Sequence, residues 1–535
     1  MERRTTITVH PDYRVAHIER ELYGCFLEPI HNWVYGGIYN PDHPTADDMG
    51  FRGDMLEAIR ALGIPAVRLP GGNFTSGWEW RDSIGPKAQR KRHLDFAWRQ
   101  IETNAVGHDE YLEWTRRAGA TPLYTLNCGT ADINSNIECV EYTNFEGGTY
   151  WSDLRRQNGY EKPHKVPVWY LGNEMDGPWQ INSWQRDPKG YGVRCLETGK
   201  ALRWIDPSIR LGVCGASSPL LRSSPTWERE VLEQCYDIAD YLSLHYYHGA
   251  PEGDFANLFA GSAVFETYLD TQLAVADYAR ALTNHPKKLM VSFDEYAMNW
   301  LVGPAAADFG RNGYVPHETY NEFHAETLAR PYKTFGPDDM QPHRRVDPPI
   351  LTALSLASVL LMLIRRADRV KIGCMTAAMG DAIGYDRDHV WKNPAYYPYS
   401  DLIRFGQGVS LLPAVRTPTF DAPGFHFTQF NEMAPQQNVP YVESAAALDE
   451  EAGALTVFVL NRDWQSDMPV ELRVPGFKGL ALESATQLFT DDLNAGNSYG
   501  SEVVHPVALD AKLSGENVTF TAKKLSWNVL RFKVK

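Results

Sequence analysis

Two glutamates stand at the ends of short apolar runs, where a carboxyl group could do chemistry. The first lies in Trp169-Tyr170-Leu171-Gly172-Asn173-Glu174-Met175-Asp176-Gly177-Pro178-Trp179-Gln180, the second in Val291-Ser292-Phe293-Asp294-Glu295-Tyr296. One carboxyl can hand a proton to a departing oxygen while another, about 5–5.5 Å away, meets an oxocarbenium-like carbon. That pairing is what cleavage of a glycosidic bond with retention requires. A lone Glu after a strand is ordinarily a solvated loop residue. An Asn-Glu and an Asp-Glu closing two separate strands outweigh that reading.

The elements that must position them alternate along the chain. Apolar runs at 22–28, 66–70, 122–127, 166–172, 210–215, 241–246, 289–293 and 370–375 read as eight strands. Helix-like segments such as 54–61, 109–118, 192–204 and 351–364 lie between them. Strands alternating with helices predict a parallel sheet, and eight such units predict an α/β fold, a (β/α)8 TIM barrel. Glu174 then falls after the fourth strand and Glu295 after the seventh, at the barrel mouth where chemistry resides. Beyond about residue 408 the runs become short and β-rich (425–430, 454–461, 470–474, 518–522), separated by Pro, Gly and Asp. They predict a C-terminal antiparallel β-sandwich of jelly-roll type. The alternating stretch 5–10 is expected to pair into it. The expected division is therefore 1–17 joining the sandwich, 18–408 the barrel and 409–535 the sandwich. The stretch 302–347, rich in Pro, His and Gly, is longer than an ordinary connection, which marks it as functional or disordered.

Composition removes other classes. The chain has 535 residues, 67 acidic against 52 basic, for a formal net charge of −15. That balance repels nucleic acid and anionic membranes, and the basic cluster at 87–93 is too small to reverse it. The 16 histidines include no HExxH, since the nearest string, His317 to His324, has the wrong spacing. Pro70-Gly71-Gly72-Asn73 lacks the Lys-Ser/Thr of a phosphate loop. No metal or cofactor is expected. The apolar run 350–364 is too short to span a bilayer, and MERRTTITVHPDYRV has no apolar stretch of the kind that makes a signal peptide. Seven cysteines, an odd set with no CxxC, read as reduced core thiols of a cytoplasmic protein.

The sequence resembles the α-L-arabinofuranosidases of glycoside hydrolase family 51. Gly-Asn-Glu-Met-Asp-Gly-Pro-Trp-Gln at 172–180 is similar to that family's acid/base motif and Phe293-Asp294-Glu295 to its nucleophile motif. Further similar strings are Gly24-Cys25-Phe26-Leu27-Glu28, Val67-Arg68-Leu69-Pro70-Gly71-Gly72-Asn73-Phe74, Ser243-Leu244-His245 and Leu525-Ser526-Trp527-Asn528-Val529. The resemblance implies Glu174 as acid/base, Glu295 as nucleophile, and Asn173 on the 2-hydroxyl of the sugar. It places Glu28, Asn73 and Tyr247 at the sugar subsite. Arg68 is expected near the nucleophile, where a cation favours the ionised carboxyl, or in a buried ion pair without a direct role. His245 either bonds the catalytic carboxylates or fills the barrel.

The likeness implies an exo-acting, retaining enzyme releasing terminal α-L-arabinofuranosyl or related furanosyl residues from oligosaccharides, and a homo-oligomer, often a hexamer. The alternatives are a β-xylosidase or another furanosidase (for galactofuranosides or apiosides) on the same scaffold, or a non-catalytic sugar-binding protein. The last normally loses a catalytic carboxylate, and both are present here. Three positions depart from the family pattern. Ala377 stands where a Gln is usual, Tyr246 replaces a Gln, and Tyr296 replaces a Trp. All three are expected at the cleft rim, where they would shift the preferred sugar or linkage.

Overall fold

Eight strands close into a parallel barrel in strict chain order: Gly24–Phe26, Ala66–Leu69, Thr121–Thr125, Val168–Tyr170, Arg210–Cys214, Tyr241–His248, Met290–Met298 and Val370–Met375. They are called here the first to eighth strands. The computed structural model describes residues 3–30, 32–221, 223–298, 331–339, 349–376, 378–426 and 432–535. Closure comes where Cys374 and Met375 of the eighth strand pair with Gly24 and Cys25 of the first. All eight runs expected from the sequence are barrel strands. The lumen has its own packed cluster, with Phe26, Leu123, Val168, Tyr170 and Ile372 among its members, so the barrel is a core and not a pore.

The helices begin and end on legible signals. Asp132 caps Ile133–Asn144 by accepting from the Ser135 amide at 2.8 Å. Asp187 does the same for Pro188–Ile205, whose first residue is a proline. Gly63 and Gly119 terminate Gly53–Leu62 and His108–Ala118 in the left-handed conformation, with φ of 85° and 76°. The helix Pro349–Arg365 explains the longest apolar run, because every residue from Ile350 to Ile364 is buried. It packs between the barrel and the C-terminal sheets, so it has no solvent face to keep polar. No described helix is long and apolar enough to cross a membrane.

The C-terminal strands form two facing sheets. One runs in the order 414–416, 5–8, 468–473, 517–522, 512–514, the other 14–18, 408–411, 442–449, 454–461, 526–533, 481–488, 507–508. Ile7, Leu472 and Val518 of the first pack with Val457, Leu530 and Phe532 of the second. The N-terminal strand Thr5–Thr8 does enter this sandwich. It lies antiparallel to Ala414–Arg416 but parallel to Met468–Arg473, so one pair in the otherwise antiparallel layer is parallel. Of the strand expected at 425–430, Phe425–His426 is seen, paired with Glu432–Met433, and the remainder lies outside the described residues. Most of 302–347 also lies outside them. Within 331–339, the Lys333 carbonyl accepts from the Ile101 amide at 2.9 Å and so joins the hairpin His93–Asp95/Gln100–Glu102.

A buried ion pair ties the two layers. Glu443 and Arg462, both in the C-terminal sheets, meet at 3.3 Å with almost no exposure. Glu443 accepts from Ser262 and Ser358 on two barrel helices at 2.8 and 2.6 Å, and Arg462 donates to the Phe259 carbonyl at 2.6 Å. Burial opposes both charges, but Arg462 and Arg365 hold the Glu443 carboxyl below its ordinary range. Glu443→Ala is expected to cost about 3–5 kcal/mol in denaturant unfolding, because it strands a buried guanidinium. Replacing Glu443 and Arg462 together by Leu and Met should recover most of that loss. A cost for Glu443→Ala below about 1 kcal/mol, the surface-pair scale, would rule out this account of the tie.

Candidate active site

A bulge in the seventh strand makes the site. Side chains alternate along a regular strand, so Asp294 and Glu295 would ordinarily point to opposite faces. Here Ser243 pairs with Ser292 and His245 with Glu295, so Leu244 alone stands against two residues, Phe293 and Asp294. On the other side Cys374 alone stands against Asp294 and Glu295. The extra residue re-aims the strand, and both carboxylates enter the lumen. Phe293 and Tyr296, on either side, turn outward into the core between barrel and helices.

On the opposite arc, the turn after the fourth strand is wound tightly. Gly172 has φ of 101°, and a Cβ there would come within 2.8 Å of Met175. Glu174 itself is left-handed at φ 48°, a conformation that costs a non-glycine residue energy and is typical of functional turns. Its Oε2 accepts from the Trp179 indole at 2.6 Å and its Oε1 faces His245 Nδ1 at 3.0 Å. One oxygen of Glu174, one of Glu295 and a ring nitrogen of His245 all lie within 4.8 Å of one another.

Glu295 is held at both oxygens. Arg68 Nη1 donates to Oε1 at 2.6 Å and Tyr247 Oη to Oε2 at 2.5 Å. Arg68 has no solvent exposure. Its Nε meets Asp294 at 2.9 Å and its Nη2 donates to Asn173 Oδ1 at 2.7 Å. His245 Nε2 faces Asp294 at 3.3 Å, and Nδ1 also lies 3.6 Å from Glu295. Burial works against a charged imidazole, yet Glu295, Asp294 and Glu174 outweigh it and push His245 up to about 10. The ring is therefore an imidazolium at neutral pH. A metal ion among these three groups would have to displace its proton.

The remaining expected residues converge on the same wall. Asn173 Nδ2 donates to Asn73 Oδ1 at 2.9 Å, and Gln180 Nε2 also donates to that oxygen. Gln180 in turn accepts from Ser76 at 2.7 Å. Glu28 is buried behind them and accepts from the Gly72 and Phe74 amides at 3.1 and 2.8 Å. Burial, with a contribution from the Glu295 charge, pushes Glu28 up to about 8. All eight residues picked from the sequence thus gather at one mouth. Asp294, Trp179, Gln180 and Gly72 belong with them. Sequence reasoning misses these four although they stand inside the same motifs. A period of two assigns Asp294 to the wrong face, and nothing in the sequence shows which side chain bonds Glu174.

One expectation is corrected. Tyr246 and Tyr296 are not at the cleft rim. Tyr246 is buried against Phe265, ring centroids 4.5 Å apart, with its hydroxyl 3.1 Å from His248. Tyr296 is wholly buried in the same outer layer. Each follows an inward-facing residue, His245 or Glu295, and alternation sends it out of the lumen. Neither reshapes the pocket. Ala377 lies outside the described residues.

Two carboxyl groups across the mouth of a (β/α)8 barrel, one buttressed by Arg and Tyr, the other beside an imidazolium, define a glycoside hydrolase. The comparisons with known proteins narrow the class. Residues 58–261 match the "Alpha-L-arabinofuranosidase 1 domain" and 321–526 the "Alpha-L-arabinofuranosidase C-terminal domain". The intracellular exo-alpha-(1->5)-L-arabinofuranosidase 1 of Bacillus subtilis is 34% identical over 99% of both chains. An exo-alpha-(1->6)-L-arabinofuranosidase of Bifidobacterium longum is 30% identical over 98% of this chain and 97% of its own. Among solved structures, a family 51 alpha-L-arabinofuranosidase from Bifidobacterium longum superposes with a TM-score of 0.85 at 28% identity, covering 99% of this chain and 100% of that one. The arabinose complex of the Thermotoga maritima enzyme gives 0.82 at 27%, covering 98% and 99%. The chain belongs to the α-L-arabinofuranosidases of glycoside hydrolase family 51.

Gly72 offers a direct test of this packing. A Cβ there would lie 2.6 Å from Glu295 Oε1 and 3.3 Å from Asn173 Nδ2. Arg68 fixes that oxygen, so Gly72→Ala should displace the carboxylate by a fraction of an ångström and leave the fold standing. A drop in kcat of about 100-fold with little change in Tm is the expected result, since a misplacement near 1 Å can cost that much. Unchanged kcat would show that the wall yields freely.

Proposed function

We propose that this chain is a retaining exo-α-L-arabinofuranosidase in which Glu174 is the general acid/base and Glu295 the nucleophile. The observation that carries the reading is the approach of the two carboxyl groups, whose nearest oxygens lie within 4.8 Å. That separation suits direct attack by one carboxylate and leaves no room for the water an inverting enzyme holds between carboxyls about 6.5–9.5 Å apart. In the first step a Glu295 oxygen bonds the anomeric carbon as its glycosidic bond breaks, and the Glu174 proton goes to the departing oxygen. In the second, Glu174 takes a proton from water, the water oxygen bonds the anomeric carbon, and Glu295 leaves as carboxylate. Arg68 and Tyr247 hold both Glu295 oxygens for in-line attack. Asn173, oriented by Arg68 and Asn73, has an amide hydrogen left for the sugar 2-hydroxyl, a contact that can tighten in the transition state. Glu28 and Asn73 shape the subsite behind it.

The names of the relatives favour arabinofuranosyl-terminated oligosaccharides as substrate over the xyloside, galactofuranoside and apioside alternatives. They also favour work in the cytoplasm, since several relatives are called intracellular. A homo-oligomer, with the hexamer as its expected form, rests on family likeness alone. The chain is taken to divide at 17/18 and 408/409, supported by the pairing of Thr5–Thr8 and Arg14–Ile18 with strands beyond 408.

Glu295→Ala should lose several powers of ten in turnover and regain part of it with azide, giving a glycosyl azide of inverted configuration. Retention of more than about a hundredth of wild-type activity would show another group to be the nucleophile. Glu174→Ala should separate substrates by leaving group. Nitrophenyl glycosides would still react in the first step and accumulate the covalent intermediate, while oligosaccharides would lose rate at that first step. Equal losses on both would remove Glu174 from the acid/base role.

A further inference from the structure

We propose that Asp294 is a positioning residue: it holds His245 as an imidazolium and turns its Nδ1–H onto the two catalytic carboxyl groups, leaving Oε2 of Glu174 as the oxygen that carries the transferable proton. The proposal rests on the carboxylate-pair reading above.

Asp294 has no solvent exposure and touches no position a substrate could reach. Its Oδ2 is shared by two cations, Arg68 Nε at 2.9 Å and His245 Nε2 at 3.3 Å. Each cation then extends to the reacting groups, Arg68 to Glu295 and Asn173, His245 to Glu174 and Glu295. One buried anion thus fixes both supports of the pair. The bulge that brings Asp294 inward is the same one that brings Glu295 inward.

The orientation of the ring has a chemical consequence. With Nε2–H directed at Asp294, Nδ1 is the atom facing Glu174 Oε1 at 3.0 Å and Glu295 Oε2 at 3.6 Å. A proton on Nδ1 satisfies Oε1 of Glu174 as acceptor, so the proton that Glu174 gives up belongs on Oε2. That oxygen has the Trp179 indole as partner, which steadies it again once the proton has gone. When Glu295 becomes an ester and its charge disappears, Nδ1–H still serves Glu174, the group then ionised. The other charged or titratable groups facing His245 are Asp176 beyond the fourth strand and Tyr247 on its own strand, with Arg68 behind Asp294. Among them, Asp294 alone bonds the far nitrogen.

The test is Asp294→Asn, which keeps the shape and removes the charge. Without its anion the imidazolium should ionise at lower pH. The alkaline limb of kcat/KM is expected to move down by at least about one pH unit, and the maximum to fall at least about tenfold, as for other buried carboxylates that orient a catalytic His. A loss by the same factor at every pH, with the limb unmoved, would assign Asp294 a structural role only and overturn the proposal; so would wild-type activity. Should the variant fail to fold, ring-15N histidine NMR of the wild-type enzyme decides, with the His245 signal assigned by its loss in His245→Gln. An imidazolium pattern at about pH 8.5 is expected, and a neutral ring there would overturn the proposal. Neither measurement depends on azide rescue of Glu295→Ala, so failure of the nucleophile assignment would be seen separately.

Discussion

A guanidinium with no exposure to water has to be neutralised where it stands, and in this barrel Arg68 is such a group. Moving an ion that deep costs several kcal/mol unless its neighbours compensate with good geometry. Arg68 meets this demand with Asp294 on Nε, Glu295 on Nη1 and Asn173 on Nη2, all between 2.6 and 2.9 Å. Much of the mouth depends on that arrangement. Two consecutive carboxylates must face inward, so the seventh strand must bulge. The wall beside Glu295 must be nearly bare backbone, so Gly72 cannot carry a side chain. Asn173 must present its oxygen to Arg68, which leaves its amide nitrogen for Asn73 and for a substrate.

The acid/base side is governed by conformation more than by charge. Glu174 sits in a left-handed turn that its own side chain disfavours, and the surroundings must hold it there. Asp176, two residues on, accepts from the Ser217 amide at 2.9 Å and from its hydroxyl, which anchors the fourth-strand turn to the segment after the fifth strand. The Trp184 amide returns to the Met175 carbonyl at 2.9 Å. The loop Gly172–Trp184 is thus closed on itself before Trp179 reaches Glu174. A residue held this firmly loses little entropy on meeting substrate, which is the advantage of storing strain at the reacting group.

The barrel was legible because its signal is long-range repetition. Eight apolar runs with helical segments between them leave few other folds, and each run is a strand within a few residues. The two catalytic glutamates were legible because strand ends at a barrel mouth are where chemistry gathers. What could not be read was local and irregular. Alternation is sound for Tyr246, which it sends outward, and the rim position expected for it came from likeness to the family and not from the pleat. For Asp294 alternation fails, because one inserted residue reverses the face of everything after it. Pairing across the mouth, such as Arg68 with Asp294 or His245 with Glu174, joins residues far apart in the chain and leaves no trace in either string.

The charges of the finished site can be counted from these contacts. Three carboxyl groups, Glu174, Asp294 and Glu295, surround two cations, Arg68 and His245. In a space this dry a net charge is costly, so the resting site is neutral when one proton resides on the carboxyl trio. Asp294 is pinned between both cations, which outweigh the burial that opposes its charge and hold it below its ordinary range. Glu295 has Arg68 on one oxygen and Tyr247 on the other. Glu174 is the member with no bond to Arg68, and its Oε2 is the oxygen that His245 does not touch. The asymmetry of two similar carboxylates, one acid and one nucleophile, then comes from the placement of a single arginine, and the reaction cycle moves the one proton while the two cations stay where the barrel holds them.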